Sequence, residues 1–129
     1  MEKVVVDTDI VIDFLRTNAG LLPQLTKLQQ EGTCEVYFSS ITIMELFAGE
    51  MTNNEIKMLF DLLGRFKVIS FDQELAQFAG ENKRGKKLTV HFADFIIGVT
   101  SIYIEAKLVT RNKEHFIGIP HIKFYTDRL

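Results

Sequence analysis

The sequence predicts an α/β fold, a sandwich built on a mostly parallel central sheet. Two observations carry this reading. Short runs of β-branched or aromatic residues alternate with longer stretches of helical apolar period from one end of the chain to the other. Capping residues or glycines stand at most of the junctions between them. The composition agrees: 129 residues, 47% hydrophobic and 25% charged, are enough for a single domain spanning 1–129 with a real core.

The three valines Val4 to Val6 predict a buried strand ending at Asp7. Asp9 is then expected to cap a helix through Ile10, Val11, Ile12, Phe14 and Leu15. From Asn18 to Gln30, Leu21, Leu22, Leu25 and Leu28 share one helical face, Pro23 fits only the first turn, and Gly32 ends the element. Glu35 to Phe38 is a short strand. Ser39, Ser40 and Thr42 are competent caps for the next helix, and Thr42 with Glu45 fits a capping box; Gly49 stops it.

Asn53 opens a helix whose stripe is Ile56, Leu59, Phe60 and Leu63, closed by Gly64. Phe66 to Phe71 alternates as a strand. Asp72 caps a helix with Leu75, Ala76, Phe78 and Ala79 inward, which runs into the basic turn Lys83 to Lys87. His91 to Lys107 is apolar nearly all round, so it is expected as a buried central helix. Leu108 to Thr110 is a strand, followed by a brief polar turn to Phe116, a break at Ile119-Pro120 and a last strand through Ile122, Phe124 and Thr126.

Charge and composition bound the function. With 17 acidic and 15 basic residues the formal charge is −2, so nucleic acid can be held only by local patches. Cys34 is the single cysteine, which excludes an intrachain disulfide and a thiolate metal cluster. The start MEKVVVDTD is not a signal peptide and no apolar run approaches about 18–20 residues, so a cytoplasmic protein without a membrane span is expected.

Acids recur where strands end. Asp7 follows the first strand, Glu45 lies early in the helix after the second, and Asn112 follows the strand Leu108 to Thr110. Asp94 opens the apolar helix, with no strand directly before it. Parallel strands end on one edge of a sheet, so the groups just beyond them converge. Each residue alone is explained as a helix cap or a complement to a helix dipole. Together they form an all-oxygen set of the kind that holds Mg²⁺ or Mn²⁺ rather than zinc, and that set suits phosphodiester hydrolysis.

The same residues carry a family resemblance. VVVDTDIVIDFLR, SSITIMELFAGE, FADFIIGVTSI and LVTRNKEHF resemble, in order and approximate spacing, the four motifs of PIN-domain ribonucleases. The resemblance is in particular to VapC-type toxins of toxin–antitoxin pairs, and it covers nearly the whole chain. It implies a PIN-like three-layer α/β/α sandwich and a metal-dependent endoribonuclease leaving 5′-phosphate and 3′-hydroxyl ends. It implies that Asp7, Glu45 and Asp94 hold a Mg²⁺ or Mn²⁺ ion, that Asn112 stands at the fourth catalytic place, and that the hydroxyls of Thr8 and Thr110 support the site. It further implies an RNA substrate, a homodimer, and a VapB-like antitoxin whose tail covers the acids. Arg16, Arg65, Lys83, Arg84, Lys86, Lys87 and Arg111 are the candidates for RNA-backbone contact.

Two features depart from the family pattern. The third motif usually reads D-A-x-I-A-A, and here DFIIG is bulkier beside the acid. His91 has no family role and is expected as a surface or partly buried histidine. Two other readings compete. DTDIV fits the first motif of haloacid-dehalogenase phosphatases, with Asp7 as nucleophile and Asp9 as acid/base, but the late acidic pair that reading needs is missing after Asp94. The altered third motif also keeps a non-catalytic PIN-like RNA- or protein-binding module in play.

Overall fold

A computed structural model describes residues 1–126. Four strands, β1 (Glu2–Val6), β2 (Cys34–Ser39), β3 (Lys67–Ile69) and β4 (Lys107–Val109), form one sheet. Their order is β3-β2-β1-β4 and every pairing is parallel. The helices are α1 (Thr8–Thr17), α2 (Leu21–Gln30), α3 (Ser40–Ala48), α4 (Asn53–Arg65), α5 (Gln73–Lys83) and α6 (Phe92–Tyr103). A 3₁₀ turn, Lys113–His115, follows β4. Among the described residues no helix is long and apolar enough to cross a membrane.

Alternation along β1 builds the layers. Val4 and Val6 point to one face, where Ile10, Val11, Leu22, Leu25 and Leu59 pack, and Val5 points to the other, against Leu75, Phe95, Ile96 and Val99. Helices therefore cover both faces, which is the three-layer α/β/α sandwich. A sheet buried on both sides needs continuous apolar strands, and the valine run of β1 supplies one. Gly98 in α6 lets the segment after β4 come close, since a Cβ there would meet Ile119 at 2.4 Å and Phe116 at 3.3 Å.

Several local expectations are corrected. Asp7, not Asp9, is the N-cap of α1: its backbone is extended (φ −68°, ψ 155°) and its side chain accepts from the Thr8 N–H. Ser39, not Thr42, caps α3, because β2 runs one residue further than expected and delivers Ser39 in extended conformation. The Thr42–Glu45 capping box is consequently not formed; the box that does form is Thr52 with Glu55 at the start of α4. In α4 the buried positions are Leu59 and Leu62, while Phe60 is exposed beside Phe47. Ala76 faces outward on α5. The expected last strand reduces to a single parallel bridge, Leu108 to Phe124.

Candidate active site

Asp7 leaves β1 at the C-terminal edge of the sheet, and its backbone N–H donates to Val109 O at 2.9 Å, which pins it beside β4. Only 6% of the residue is exposed. Oδ1 accepts from the Thr8 N–H at 2.7 Å and Oδ2 accepts from the Thr110 hydroxyl at 2.8 Å. The carboxyl is nonetheless pushed up to about 7. Burial is the main cause, repulsion from Asp9 comes next, and Asp94 adds to it; the two hydrogen bonds oppose the shift.

Thr8 is the hinge to the second motif. Its hydroxyl donates to Glu45 Oε1 at 2.6 Å and lies 3.0 Å from the hydroxyl of Thr42, which is fully buried. Thr42 thus braces Thr8 inside α3 instead of capping the helix. Asp94 stands in the first turn of α6 and is raised chiefly by burial. His115 and His91 oppose that shift, His115 Nδ1 lying 3.8 Å from Asp94 Oδ2, and Asp9 reinforces it. His91 itself is exposed and is the N-cap residue of α6, with no side-chain cap bond.

By sequence, Asp9 is a helix cap or, in the phosphatase reading, an acid/base. The structure puts it among the acids. Its Oδ2 accepts from the Arg111 N–H at 3.1 Å and from Asn112 Nδ2 at 2.9 Å, while Oδ1 is buried without a hydrogen-bond partner among the described residues. Asn112 also donates its N–H to the Thr110 hydroxyl at 3.0 Å. The loop after β4 therefore supports two carboxylates at once, Asp7 through Thr110 and Asp9 through Asn112.

Among the described residues no lysine or arginine makes an ion pair with Asp7, Asp9, Glu45 or Asp94. Nor do three of their acidic or imidazole groups already close around one point as a finished ion cage. The donors do fit a hard divalent cation. They are all oxygens, one buried oxygen lacks a partner, and Mg²⁺ keeps most of its waters and requires few protein ligands.

The basic candidates separate. The Arg111 guanidinium turns to Asp13, 3.4 Å away, at the edge of the site. Lys83 Nζ lies 5.8 Å from the ring of Phe95, the residue after Asp94, so the exposed turn Lys83, Arg84, Lys86 and Lys87 begins beside α6. Arg16 lies in the last turn of α1, about 12 Å along the helix axis from its start at Thr8. Arg65 ends α4 and pairs with Asp61 at 3.0 Å.

Comparison with known proteins agrees with this arrangement. Ribonuclease VapC19 of Mycobacterium tuberculosis (strain ATCC 25618 / H37Rv) is 26% identical over 121 residues, 92% of this chain and 95% of the relative. The fold matches VapBC2 from Rickettsia felis bound to a promoter DNA fragment, with TM-score 0.79 and 22% identity over 95% of this chain and 97% of that one. It also matches DNA-bound VapBC from Salmonella typhimurium, with TM-score 0.76 and 22% identity over 97% and 98%. A toxin–antitoxin complex from Klebsiella pneumoniae aligns with TM-score 0.67 and 25% identity over 92% and 94%. The PIN domain model matches residues 4–121, a span that holds all four motifs and displaces the phosphatase reading of DTDIV: the chain belongs to the PIN domain family.

Proposed function

We propose that this chain is a VapC-type endoribonuclease that hydrolyses RNA phosphodiester bonds with Mg²⁺ or Mn²⁺. The observation that carries the reading is Asp7: a buried carboxylate at the C-terminal edge of a PIN sheet, close to other acids and in no ion pair with a lysine or arginine among the described residues. An uncompensated buried charge destabilises a fold, and a cation is what such a cluster lacks.

Asp7, Glu45 and Asp94 would hold the cation. Thr8 and Thr110 are positioning residues, the first fixing Glu45 and the second fixing Asp7. When bound, the divalent ion makes a coordinated water more acidic and screens charge on the phosphate. The residues themselves orient that centre. The Thr110 hydroxyl and Thr8 N–H hold both Asp7 oxygens in place, and the burial of Asp7 keeps competing water out. His115 stands beside Asp94, its Nδ1 3.8 Å from Oδ2, where it can orient that carboxylate. The turn Lys83 to Lys87 and Arg111 are the basic groups best placed to meet RNA phosphates, ahead of Arg16 and Arg65.

The solved neighbours are named as toxin–antitoxin or VapBC complexes, and a VapB-like antitoxin is the proposed partner here. An arginine presented by such a partner would find a cluster of acids with no cation of their own. A homodimer is proposed on the family resemblance alone.

The test is cleavage of a mixed RNA pool by the purified chain with Mg²⁺, with Mn²⁺ and with EDTA, alongside Asp7→Asn and Asp94→Asn. Cutting that requires the ion and both acids is expected. Cutting that persists in EDTA, or in both variants, would remove the metal site from the explanation. Intact mass spectrometry of the same sample distinguishes an antitoxin-blocked enzyme from a non-catalytic binding module.

A further inference from the structure

We infer that Asp9 is the fourth carboxylate of the cation site, and that Asn112 serves by orienting Asp9 rather than by binding the ion. The inference rests on the reading of Asp7, Glu45 and Asp94 as cation ligands and adds a residue to them.

Residues two apart in a helix point about 200° away from each other, so Asp7 and Asp9 would diverge if both were helical. They do not diverge, because Asp7 is the N-cap and its backbone is extended (φ −68°, ψ 155°). The two carboxylates are instead held by one short loop, Asp7 Oδ2 by the Thr110 hydroxyl and Asp9 Oδ2 by the Arg111 N–H and Asn112 Nδ2.

The hydrogen bonds of Asp9 are one-sided. Oδ2 takes two donors from the loop after β4, Arg111 N–H and Asn112 Nδ2. Oδ1 is buried and takes none among the described residues. Leaving a buried charged oxygen unpaired is more costly than leaving a neutral one, so an arrangement that fixes one oxygen and strands the other implies a missing partner. That partner is not Arg111. Its guanidinium pairs with Asp13 at 3.4 Å, and its hydrogen bond to Asp9 is made by the backbone N–H.

Asn112 has its amide nitrogen committed to Asp9 and its backbone N–H committed to Thr110. Both contacts make it a donor to the groups around the ion. An acid at position 112 would repel Asp9; an amide there holds it. The chain thus keeps four carboxylates while carrying one of them on α1 instead of after β4.

The experiment is calorimetric titration of the whole chain with Mn²⁺, with the Mn²⁺-induced rise in Tm as a second readout that needs no RNA. Asp9→Asn, Asp9→Ser, Asn112→Ala and Asp7→Asn are compared with the parent. Both Asp9 variants are expected to bind Mn²⁺ about 10–100-fold more weakly and to lose most of the Tm rise, while melting no lower than the parent without metal. Asn112→Ala should weaken binding less than either Asp9 variant does. Mn²⁺ affinity within about twofold of the parent in both Asp9 variants, with Asp7→Asn impaired, would overturn the role of Asp9 and leave the wider reading standing. A stronger loss in Asn112→Ala than in Asp9→Asn would return the fourth place to residue 112. A parent chain that binds no Mn²⁺ would overturn the wider reading along with this one.

Discussion

The two ends of the same sheet treat their acids in opposite ways. At the N-terminal end, Glu2 on β1 pairs with Lys107 on β4 at 3.1 Å, and Glu35 on β2 pairs with Lys67 on β3 at 3.0 Å. Both of these acids have a lysine on the neighbouring strand. At the C-terminal end, Asp7, Asp9, Glu45 and Asp94 gather with hydroxyls, amides and a histidine, and with no lysine or arginine ion pair among the described residues. A cleft of about 590 Å³ also opens at the N-terminal end, lined by Glu2, Lys107 and His121 among others. We place the chemistry at the other end regardless. Ions paired across a sheet have no work left to do, whereas unpaired buried acids store a cost that a ligand can relieve.

The strongest way to break this comparison is to remove the central charge. Asp7→Asn is expected to lower RNA cleavage by more than about 100-fold, since even the outer partners of metal ligands matter by 10–100-fold. Its stability should move the other way. In the folded chain Asp7 holds its proton up to about 7, against an ordinary value of 3.8. Between those values the folded state binds a proton that the unfolded state has lost. Stability of the cation-free chain should therefore fall as pH rises from about 4 through about 7, by no more than about 4 kcal/mol. Asp7→Asn should flatten that fall, and saturating Mg²⁺ should reverse it. Thermal melts across this pH range, with and without Mg²⁺, measure all three. A profile that falls equally in Asp7→Asn would assign the charge strain to other groups.

A smaller effect is expected at Thr110. Its hydroxyl lowers the Asp7 pKa by donating to Oδ2, so Thr110→Val should push that carboxyl further up. Cleavage should drop about 10–100-fold, with the pH of half-maximal rate moving upward. A drop without the pH movement would mean that Thr110 acts through the loop and Asn112 rather than through Asp7.

What the sequence reveals divides along the same line as the chemistry. The valine run, the aliphatic α6 and the strand–helix alternation are local patterns, and the sheet and its two covered faces follow from them. The acids Asp7, Glu45 and Asp94 are legible because motifs place them just past strands or at a helix start. The hydroxyl supports Thr8 and Thr110 are legible only through the family resemblance, and the hold of Asn112 on Asp9 is not legible at all, because such contacts span the chain: Thr110 reaches Asp7 and Asn112 reaches Asp9, each across 103 residues. Asp9 looks like a cap because aspartate before an aliphatic run usually is one, and only the extended backbone of Asp7 shows otherwise. The one clue was that two aspartates compete for a single cap. Thr42 misleads for a similar reason. Ser39 takes the cap, and a threonine left inside the helix must bury its hydroxyl against another, here Thr8. Phe60 gives way to Leu62 because α4 packs on its neighbours with a rotated face, which tertiary contacts decide and periodicity cannot.

The smallest expected effect makes the sharpest control. Lys107→Gln removes the lysine from the pair at the N-terminal end, whose side chains are 40% and 34% exposed. Pairs that open to water contribute less than about 1 kcal/mol. Glu2 stands five residues before Asp7 on an extended strand, about 16 Å away, which exceeds the Debye length of about 8 Å at physiological salt. Unscreening Glu2 should therefore leave Asp7 unaware of it. Cleavage within twofold of the parent is expected, with the pH profile of stability unmoved and a Lys107→Gln, Thr110→Val double variant additive within about 0.5 kcal/mol. If Lys107→Gln instead shifted the pH profile as Thr110→Val does, the acids would be answering to the charge of the whole sheet. The contrast between its two ends would then be one of degree, and a bound cation would have to act on that wider field rather than on four carboxylates.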